Sequence, residues 1–423
     1  MYVILAAGLL IRLTFELAYA RPLVSDEKEY DSLGFGLSSN ARYEVNGIPT
    51  AYRPVGYPMF LATIYLVCGH QPIVVKCFQA VLDTGTSFLI FLLLAGYPDR
   101  VRLIGAGLWV LFLPAILYTR FLMSESLFTF LLLLTILLLS RNFSNKPHSQ
   151  MVIGFLFGAL VLIKPGLVLF LVALPFFYRP SGLRPRSIPL IALAFFLVLA
   201  PWMLRNYYRF GEISPSSNGG INLLIGNNPH STGAYGITYD PAILQGATDE
   251  FDADRKALKY AERYIVEKPV TFAVNAVKKL GRLFESEGGI LVLSFHHDPE
   301  DTSSRYPSKY ASIPVVLVIL TNLPYCALML AGLFGLLAAP RDKVWQITLV
   351  LFASWVLLHI IFFGGGRFHF PLMPYIVVFA SVFLSRPVEA FALLSNARKS
   401  IGFIVSSMLI ALWIIEGIAV YSA

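Results

Sequence analysis

The sequence is short of charged residues, which make up 14% of its 423 residues, whereas a soluble globular domain contains about 25%. Hydrophobic residues make up 57% of the chain, and the mean hydropathy is +0.68. This deficit excludes an ordinary soluble domain and predicts an all-α polytopic membrane protein. The net charge of +8 then indicates Lys and Arg on cytoplasmic loops and near lipid headgroups rather than a nucleic-acid partner.

Cysteine is scarce as well, and several motifs of soluble enzymes are missing. Cys68, Cys77 and Cys326 are odd in number and lack metal-ligand spacing, which argues against a disulfide framework. The sequence has no phosphate-binding P-loop, dinucleotide fingerprint or nucleophile elbow. His296-His297-Asp298 could bind a metal, but adjacent histidines rarely chelate one ion. We therefore predict no cofactor or metal-binding residue, while a divalent metal stays an open alternative.

Eleven apolar runs approach the length of about 20 residues that a membrane-spanning helix needs. They lie at 1–20, 73–96, 102–119, 122–140, 151–165, 166–178, 188–206, 311–338, 344–363, 370–385 and 400–420. The pair 151–165 and 166–178 depends on a turn at Lys164-Pro165-Gly166. The short loops rich in Lys and Arg all fall on one side in this count, so that side is predicted to be cytoplasmic.

Two long segments then lie on the outer side, at about 21–72 and 207–310. The chain is therefore predicted to contain an N-terminal transmembrane module (1–206), an external loop region (207–310) and C-terminal transmembrane helices (311–423). In the first segment, the apolar stretch 58–69 is too short to span and predicts an interfacial or re-entrant helix.

The external loop region has a pattern of its own. Residues 216–236 are rich in Gly, Asn and Ser and predict an ordered, turn-rich loop. Residues 252–286 have helical periodicity, with Ala257, Tyr260, Ala261, Tyr264 and Ile265 on one stripe, and Pro269 divides them into two helices.

The adjacent carboxylates Asp26 and Glu27 follow the first apolar run. They are typical of a solvated helix end, but one of them could instead act as a general base that accepts a proton from an attacking hydroxyl or amine. Adjacent carboxylates on an extended chain diverge, so we expect different roles, with one acting on the acceptor and the other orienting a cation. Arg12 and Glu16, four residues apart in the first helix, are expected to pair with each other.

Arg53 is the first candidate for binding a phosphate. Pro54 restricts Arg53 to extended conformations, and a rigidly held guanidinium matches the oxygens of a phosphate. The alternative is an arginine that extends to the lipid headgroups.

Other charged residues are predicted at the outer ends of helices. Each alone is typical of a lipid interface, but together they predict a pocket for an anionic ligand that approaches from the bilayer. The candidate phosphate ligands are Arg53, Lys164, Arg120 and Arg367, and the other candidate pocket residues are Tyr52, Tyr57, Glu125, Arg205 and His369.

Several segments, in this order, resemble bacterial glycosyltransferase family 39 proteins over about residues 1–385. These belong to the GT-C superfamily and are related to protein O-mannosyltransferases and lipid A aminoarabinose transferases. The segments are Asp26-Glu27, PTAYRPVGYPMFLA (49–62), TRFLMSE (119–125), PWMLRN (201–206), SNGGINLLIGNNPHSTGAYG (217–236) and RFHFPLMP (367–374).

The resemblance implies a GT-C-type helical bundle that takes a sugar from a polyprenyl-phosphate donor at the outer side of the membrane. It places the acidic base or acceptor-positioning residue at Asp26, beside Glu27, and donor-phosphate contacts at Arg53 and Arg367. Aminoarabinose transferases carry an acidic metal-site residue where this chain has Tyr52. The resemblance therefore does not extend to that metal site or to that sugar.

Together these patterns predict an inverting glycosyltransferase of the inner (cytoplasmic) membrane, with its active site facing the periplasm or exterior. The donor is expected to be a polyprenyl phosphate such as undecaprenyl phosphate, and the acceptor stays open between lipid A, protein and polysaccharide. Two other classes stay open as well. One is an O-antigen ligase or polymerase, and the other is a transporter or flippase of lipid-linked sugars, which more often has an internal repeat.

Overall fold

The computed structural model of the chain describes residues 1–18, 21–141, 146–177, 187–295 and 312–421. Its regular structure is almost all α-helix. The first half contains α1 (Tyr2–Ala18), α2 (Asp26–Asn40), α3 (Gly56–Cys68), α4 (Pro72–Leu93), α5 (Asp99–Val110), α6 (Leu113–Thr119), α7 (Glu125–Ser140), α8 (Pro147–Ile163), α9 (Val168–Phe177) and α10 (Ile188–Phe210). A two-stranded hairpin, β1 (Glu44–Val45) and β2 (Ile48–Pro49), lies between α2 and α3.

The second half is also helical. It contains α11 (Gly219–Gly226), α12 (Glu250–Glu267), α13 (Pro269–Leu283), α14 (Gly288–Phe295), α15 (Val315–Ala338), α16 (Lys343–Ile361), α17 (Gly366–His369), α18 (Met373–Ser385), α19 (Pro387–Ala392) and α20 (Asn396–Tyr421). Short 3₁₀ turns occur at Pro165–Leu167, Pro241–Leu244 and Phe370–Leu372.

In the part of the chain that the structure describes, six helices are long and apolar enough to cross a membrane. They are α4, α10, α15, α16, α20 and the continuous stretch from α17 through α18. Each of the eleven predicted runs coincides with a helix, but the count of eleven spans is not confirmed because α1, α7, α8 and α9 have only 17, 16, 17 and 10 residues. The predicted class, an all-α multi-pass membrane protein, is confirmed.

One of the predicted spans is broken. The run 102–119 forms α5 and α6, which meet at an angle of 52°. Pro114 lies in the first turn of α6, where a missing backbone donor is tolerated. The turn predicted at Lys164 is confirmed, since α8 ends at Ile163 and a 3₁₀ turn precedes α9. Helix α9 alone is about 15 Å long, which is too short to cross a bilayer.

The prediction that Arg12 pairs with Glu16 is wrong. Arg12 Nη2 lies 2.5 Å from Asp83 Oδ2 of α4, and both side chains are buried. The Arg12 guanidinium also donates to the carbonyl oxygens of Gly8 and Val110, while Glu16 accepts a hydrogen bond from Thr119. A carboxylate on the facing helix, together with backbone acceptors, satisfies the buried guanidinium better than an i+4 neighbour on the same helix.

Residues of α11 and α12 form a second small core together with Phe363. The division into α12 and α13 at Pro269 is confirmed. Of the predicted stripe, Ala257 and Ala261 are fully buried, whereas Tyr260 is exposed. The segment 216–236 differs from a pure loop because its apolar centre forms α11. Helix α11 packs tightly on α12, and a Cβ at Gly220 would lie only 2.0 Å from the carbonyl oxygen of Asp254.

Candidate active site

A cavity of about 620 Å³ is lined by residues from seven distant parts of the chain. Its polar lining includes Asp26 and Tyr30 of α2, Tyr52 and Arg53 of the segment before α3, Lys164, the segment Glu285–Glu287 before α14, and Arg367 of α17. The lining also includes Ser216, Asn218, Asn222, Tyr118, Tyr235, Trp355 and Phe368. Five of the predicted site residues therefore line this cavity, namely Asp26, Tyr52, Arg53, Lys164 and Arg367.

Backbone contacts hold the segment that carries Arg53. The Tyr43 hydroxyl donates to the Arg53 carbonyl at 2.8 Å, and the Ser217 amide donates to the Ala51 carbonyl at 3.0 Å. Glu250, at the start of α12, accepts hydrogen bonds from the Thr50 hydroxyl and the Ala51 amide. Tyr43, Ser217 and Glu250 thus hold the backbone on which Arg53 is presented.

The Arg53 guanidinium is bound by two carboxylates of α2. Its Nε donates to Glu29 Oε2 at 2.9 Å, and its Nη2 donates to Asp26 Oδ1 at 2.8 Å. The guanidinium also lies over the rings of Tyr30 and Tyr52, at 5.3 Å and 5.7 Å from the centroids. Arg53 therefore faces the cavity in one fixed orientation.

The ion-pair network continues through Arg367. Arg367 Nη1 donates to the second oxygen of Asp26 at 2.9 Å, and its Nε lies 3.4 Å from Glu125 Oε1. Lys164 Nζ donates to the same Glu125 oxygen at 3.1 Å. With Glu29 and Arg53, these residues form a chain of alternating charges, which we call the charge chain, with three cations and three carboxylates.

The charge chain changes the proton affinity of its members outside the spans. Burial works to raise the pKa of Asp26, but the guanidinium groups of Arg367 and Arg53 outweigh it and hold that pKa below its usual value. Burial works to lower the pKa of Arg53, but Tyr30, Asp26 and Glu29 outweigh it and raise that pKa. Burial raises the pKa of Tyr52 to about 12, so its hydroxyl stays protonated. Asp26 is therefore ionised at neutral pH.

A glycine-rich loop positions Arg367. A Cβ at Gly364 would lie 2.1 Å from the Lys279 carbonyl oxygen, so only glycine fits against α13 at this position. The Gly366 amide donates to Glu285 Oε1 at 3.0 Å, and the Trp355 indole donates to the Phe368 carbonyl at 2.7 Å. These contacts hold the start of α17 against the cavity.

Glu27 does not share the cavity with Asp26. Its carboxylate is fully buried and accepts four hydrogen bonds, two from Arg21 and one each from the Val24 and Leu122 amides. Because α2 begins at Asp26, the two neighbouring side chains leave the helix in different directions. Glu27 orients Arg21, a cation, while Asp26 faces the cavity.

Arg120 and Tyr57 are not brought to the cavity either. The turn that carries Arg120 faces α1, where its carbonyl accepts a hydrogen bond from Arg21 and its charge acts on Glu16. The Tyr57 hydroxyl donates to Gln79 Oε1 at 2.7 Å, and its ring packs edge-on against Tyr30. Tyr57 therefore supports a residue of the cavity wall rather than lining it.

Arg205 and His369 lie behind the cavity. Arg205 donates to the carbonyl oxygens of Thr50 and Tyr43, so it braces the segment before Arg53. His369 is fully buried, and its ring nitrogens contact the Leu283 carbonyl and Glu287 Oε1 at 2.8 Å and 3.0 Å.

Several residues of the site gave no signal in the sequence. Tyr30 lines the cavity and Glu29 binds Arg53, and both lie about one turn after Asp26, so a helix beginning at Asp26 would have placed them beside it. The acidic segment Glu285–Glu287 gave no signal, because its contacts to the loop before Arg367 are tertiary.

The carboxylates of the charge chain are engaged by basic side chains. Both oxygens of Asp26 accept guanidinium hydrogen bonds, and Glu125 contacts Arg367 and Lys164. The residues that the structure describes contain no group of three or more His, Cys, Asp or Glu that could hold a metal. His296–Asp298 lie outside the described residues.

No family model matches the chain, and no curated protein matches it. Among solved structures, the chain is similar to the Archaeoglobus fulgidus oligosaccharyltransferase in complex with Zn and sulfate, with a TM-score of 0.51 and 15% identity over 97% of this chain and 52% of that chain. ArnT from Cupriavidus metallidurans, bound to undecaprenyl phosphate, has a TM-score of 0.44 and 13% identity over 91% of this chain and 78% of that chain.

The similarity to the oligosaccharyltransferase is one of fold. It confirms the GT-C type of helical membrane bundle that the sequence predicted, and it does not confirm membership of family 39. The chain spans about half the length of the oligosaccharyltransferase structures that it matches.

Proposed function

We propose that this protein is a glycosyltransferase that moves a sugar from a polyprenyl-phosphate donor to an acceptor at the outer face of the cytoplasmic membrane. The observation that carries the proposal is the convergence of Arg53, Lys164 and Arg367 with Asp26 on one cavity inside a bundle of apolar helices. The GT-C fold and the order of the family-39-like segments support it.

The cations suit the phosphate of a lipid-linked donor. The two guanidinium groups present paired donors that match phosphate oxygens, and Lys164 adds a point charge. Because the cavity lies among membrane helices, a polyprenyl tail can stay in lipid while the phosphate reaches these residues.

The transfer we propose is a single displacement. The acceptor oxygen forms a bond to the anomeric carbon of the sugar as the bond from that carbon to the phosphate oxygen breaks. The bonding electron pair leaves on the phosphate, and the configuration at the anomeric carbon inverts. Arg53, Lys164 and Arg367 stabilise the charge that develops on the leaving phosphate.

Asp26 is the residue we assign to the acceptor's proton. It is ionised, and each of its oxygens has a lone pair left after accepting from one guanidinium. Its lowered pKa makes it a weak base while both arginines are bound to it. When the donor phosphate draws Arg53 and Arg367 away, the basicity of Asp26 rises, so donor binding prepares the residue that receives the proton.

The sequence pattern supports further parts of this assignment. The short basic loops place the cavity on the side away from the cytoplasm, and the family resemblance favours undecaprenyl phosphate as the lipid. We propose lipid A, a protein or a polysaccharide as the acceptor.

The test is to purify the protein in lipid nanodiscs and identify bound lipids by mass spectrometry. We expect undecaprenyl phosphate or its glycosylated form with the wild type, and about tenfold to a hundredfold less with Arg53→Ala, which loses charge-assisted hydrogen bonds. Arg263→Ala is the matched control because its side chain is 77% exposed on α12, away from the cavity lining.

Added undecaprenyl phosphate provides the second arm, since bound lipid can be lost during purification. A wild type that binds no more of this lipid than Arg53→Ala does would refute the phosphate site. Binding without transfer to any acceptor, combined with lipid movement across vesicles, would instead favour the transporter class.

A further inference from the structure

The segment Glu285–Glu287 gives one part of the cavity a chemistry different from that of the charge chain. Glu285 Oε1 accepts the Gly366 amide at 3.0 Å, and Glu285 Oε2 lies 3.2 Å from Arg282 Nη1. Glu287 Oε1 contacts His369 Nε2 at 3.0 Å. Both glutamates and the intervening Ser286 line the cavity.

These two carboxylates suit neutral hydroxyl groups better than a cation. Each already contacts a basic side chain, Arg282 for Glu285 and His369 for Glu287. A carboxylate can accept about four hydrogen bonds, so both retain lone pairs for hydroxyl donors beside these contacts. The side chain of Glu285 is 20% exposed, so it is accessible from the cavity.

The rest of this lining has the same character. Asn218, Asn222 and Ser216 provide neutral polar groups, and Trp355 and Tyr118 provide aromatic surface. A few polar groups among aromatic walls are typical of pockets that orient small polar ligands. A sugar, which has hydroxyl groups and apolar C–H faces, fits this mixture.

The connection to Arg367 gives this lining a place in the reaction. Glu285 binds the amide of Gly366, and the next residue, Arg367, binds Asp26 and is a proposed phosphate ligand. A sugar that contacts Glu285 would therefore lie beside the phosphate that carries it.

We propose that Glu285 binds a hydroxyl group of the sugar on the donor and thereby determines which glycosylated lipid is accepted. This inference rests on the proposed function. Glu287 and Ser286 complete the hydroxyl-binding wall, and the charge chain binds the phosphate.

The experiment compares four lipids with the purified protein in nanodiscs. They are bare undecaprenyl phosphate and undecaprenyl phosphates that carry glucose, mannose or N-acetylglucosamine. We expect the wild type to bind at least one glycosylated lipid more tightly than the bare lipid. Glu285→Ala should weaken binding of that lipid by about tenfold to a hundredfold. It should weaken binding of the bare lipid by a clearly smaller factor, through the lost contact to the Gly366 amide. Glu267→Ala, an exposed carboxylate on α12, is the matched control.

The remaining outcomes separate the two proposals. If Glu285→Ala weakens the binding of bare and glycosylated lipids by the same factor, Glu285 acts only by holding Arg367, and the sugar contact is refuted. If the wild type prefers no glycosylated lipid over the bare one, the sugar contact is also refuted, while the phosphate site stands. If the wild type binds none of the four, the proposed function itself fails.

A second variant covers the case in which Glu285→Ala does not fold. Glu285→Gln keeps an acceptor for the Gly366 amide but loses an acceptor for the sugar. It should show the same selective loss with a smaller factor. An unchanged ratio between glycosylated and bare lipid in Glu285→Gln would count against the proposal.

Discussion

Arg367 and Asp26 lie 341 residues apart in the sequence, and Arg367 Nη1 donates to Asp26 Oδ2 at 2.9 Å. The same guanidinium lies 3.4 Å from Glu125, so one side chain links α2, α7 and α17. An ion pair thus joins the charged residues of the cavity lining that come first and last in the sequence.

Arg367→Ala should lower both stability and donor binding. It leaves Asp26 and Glu125 without their shared cation, and we expect a loss of about 1.5–3 kcal/mol in the free energy of unfolding. The Arg367 side chain is 32% exposed, which favours the lower end of that range. Thermal unfolding in nanodiscs measures the change, with the exposed Arg386→Ala as control. Arg367→Lys should be intermediate, because one ammonium group lacks the guanidinium fork. Equal stability of the alanine variant and the wild type would contradict this role.

Asp26→Asn should reduce transfer by about 10²- to 10⁴-fold if Asp26 takes the acceptor's proton. The exposed Asp99→Asn should leave transfer unchanged. Because the pKa of Asp26 is held below its usual value in the donor-free protein, the pH profile of kcat/KM, which reports the free enzyme, should show no acid limb from Asp26 above about pH 4. An acid limb of kcat/KM near pH 6 that disappears in Asp26→Asn would contradict the lowered pKa.

The same lowered pKa has a consequence for stability. A carboxyl group with a lower pKa in the folded state stabilises the fold above its unfolded pKa. That contribution is lost only as the pH falls through the folded value. The difference in stability between wild type and Asp26→Asn should therefore be constant from about pH 8 to pH 5 and shrink only below about pH 4. Unfolding measured across that range checks the sign.

Glu29→Gln should tighten binding of undecaprenyl phosphate. Glu29 competes with the phosphate for Arg53, and its partly exposed ion pair is worth about 0.5–1 kcal/mol. Its removal should raise affinity by about two- to fivefold, measured by lipid titration against the control Glu212→Gln, an exposed carboxylate outside the cavity lining. Weaker binding would mean that Glu29 orients Arg53 rather than competing for it.

Glu416 should control the motion of the hydroxyl-binding wall. Its oxygens accept the Ser286 amide at 2.8 Å and the Ser286 hydroxyl at 2.7 Å. In Glu416→Ala, the amides of 284–290 should exchange about tenfold to a hundredfold faster with deuterated solvent. Glu416→Gln can still accept from the amide and donate to the hydroxyl, so it should stay near the wild type. The neighbouring Ile415→Ala, 65% exposed in the wild type, is the control. Unaltered amide exchange in Glu416→Ala would contradict a role of Glu416 in restraining this segment.

Breaking the buried ion pair Arg12–Asp83 should lower the free energy of unfolding, whereas replacing both residues with apolar ones should restore most of it. Asp83→Ala leaves a buried guanidinium unpaired and should cost about 3–5 kcal/mol. The double variant Arg12→Met/Asp83→Leu should recover most of that loss. A double-mutant cycle by thermal unfolding measures the coupling, and additive effects would show that the pair does not act as a unit.

The membrane class and the helices could be predicted from the sequence, because apolar runs and Pro269 act locally. Arg53 could also be predicted, since Pro54 restrains its neighbour directly. The number of spans could not, because α7 and α8 are shorter than a bilayer requires and only their packing determines their depth.

The composition of the site was predictable only in part. Asp26, Arg53, Lys164 and Arg367 line one cavity, because the ends of the helices that carry or adjoin them lie at one level of the bundle. Glu27 and Arg120 have the same residue types at the same level, yet they face Arg21 and α1 instead. The rotation of each side chain about its helix depends on tertiary contacts that no local pattern contains.

The distance in sequence between Asp26 and Arg367 also determines how long after Asp26 the ribosome adds Arg367. A ribosome adds about 5–20 residues per second, so roughly 20–70 s separate the insertion of the first cavity residue from that of the last. Until then the early helices hold Asp26 and Arg53 without Arg367, and Ser286 lacks its contact to Glu416 of α20. A nascent chain that has not yet reached Arg367 therefore lacks the complete charge chain.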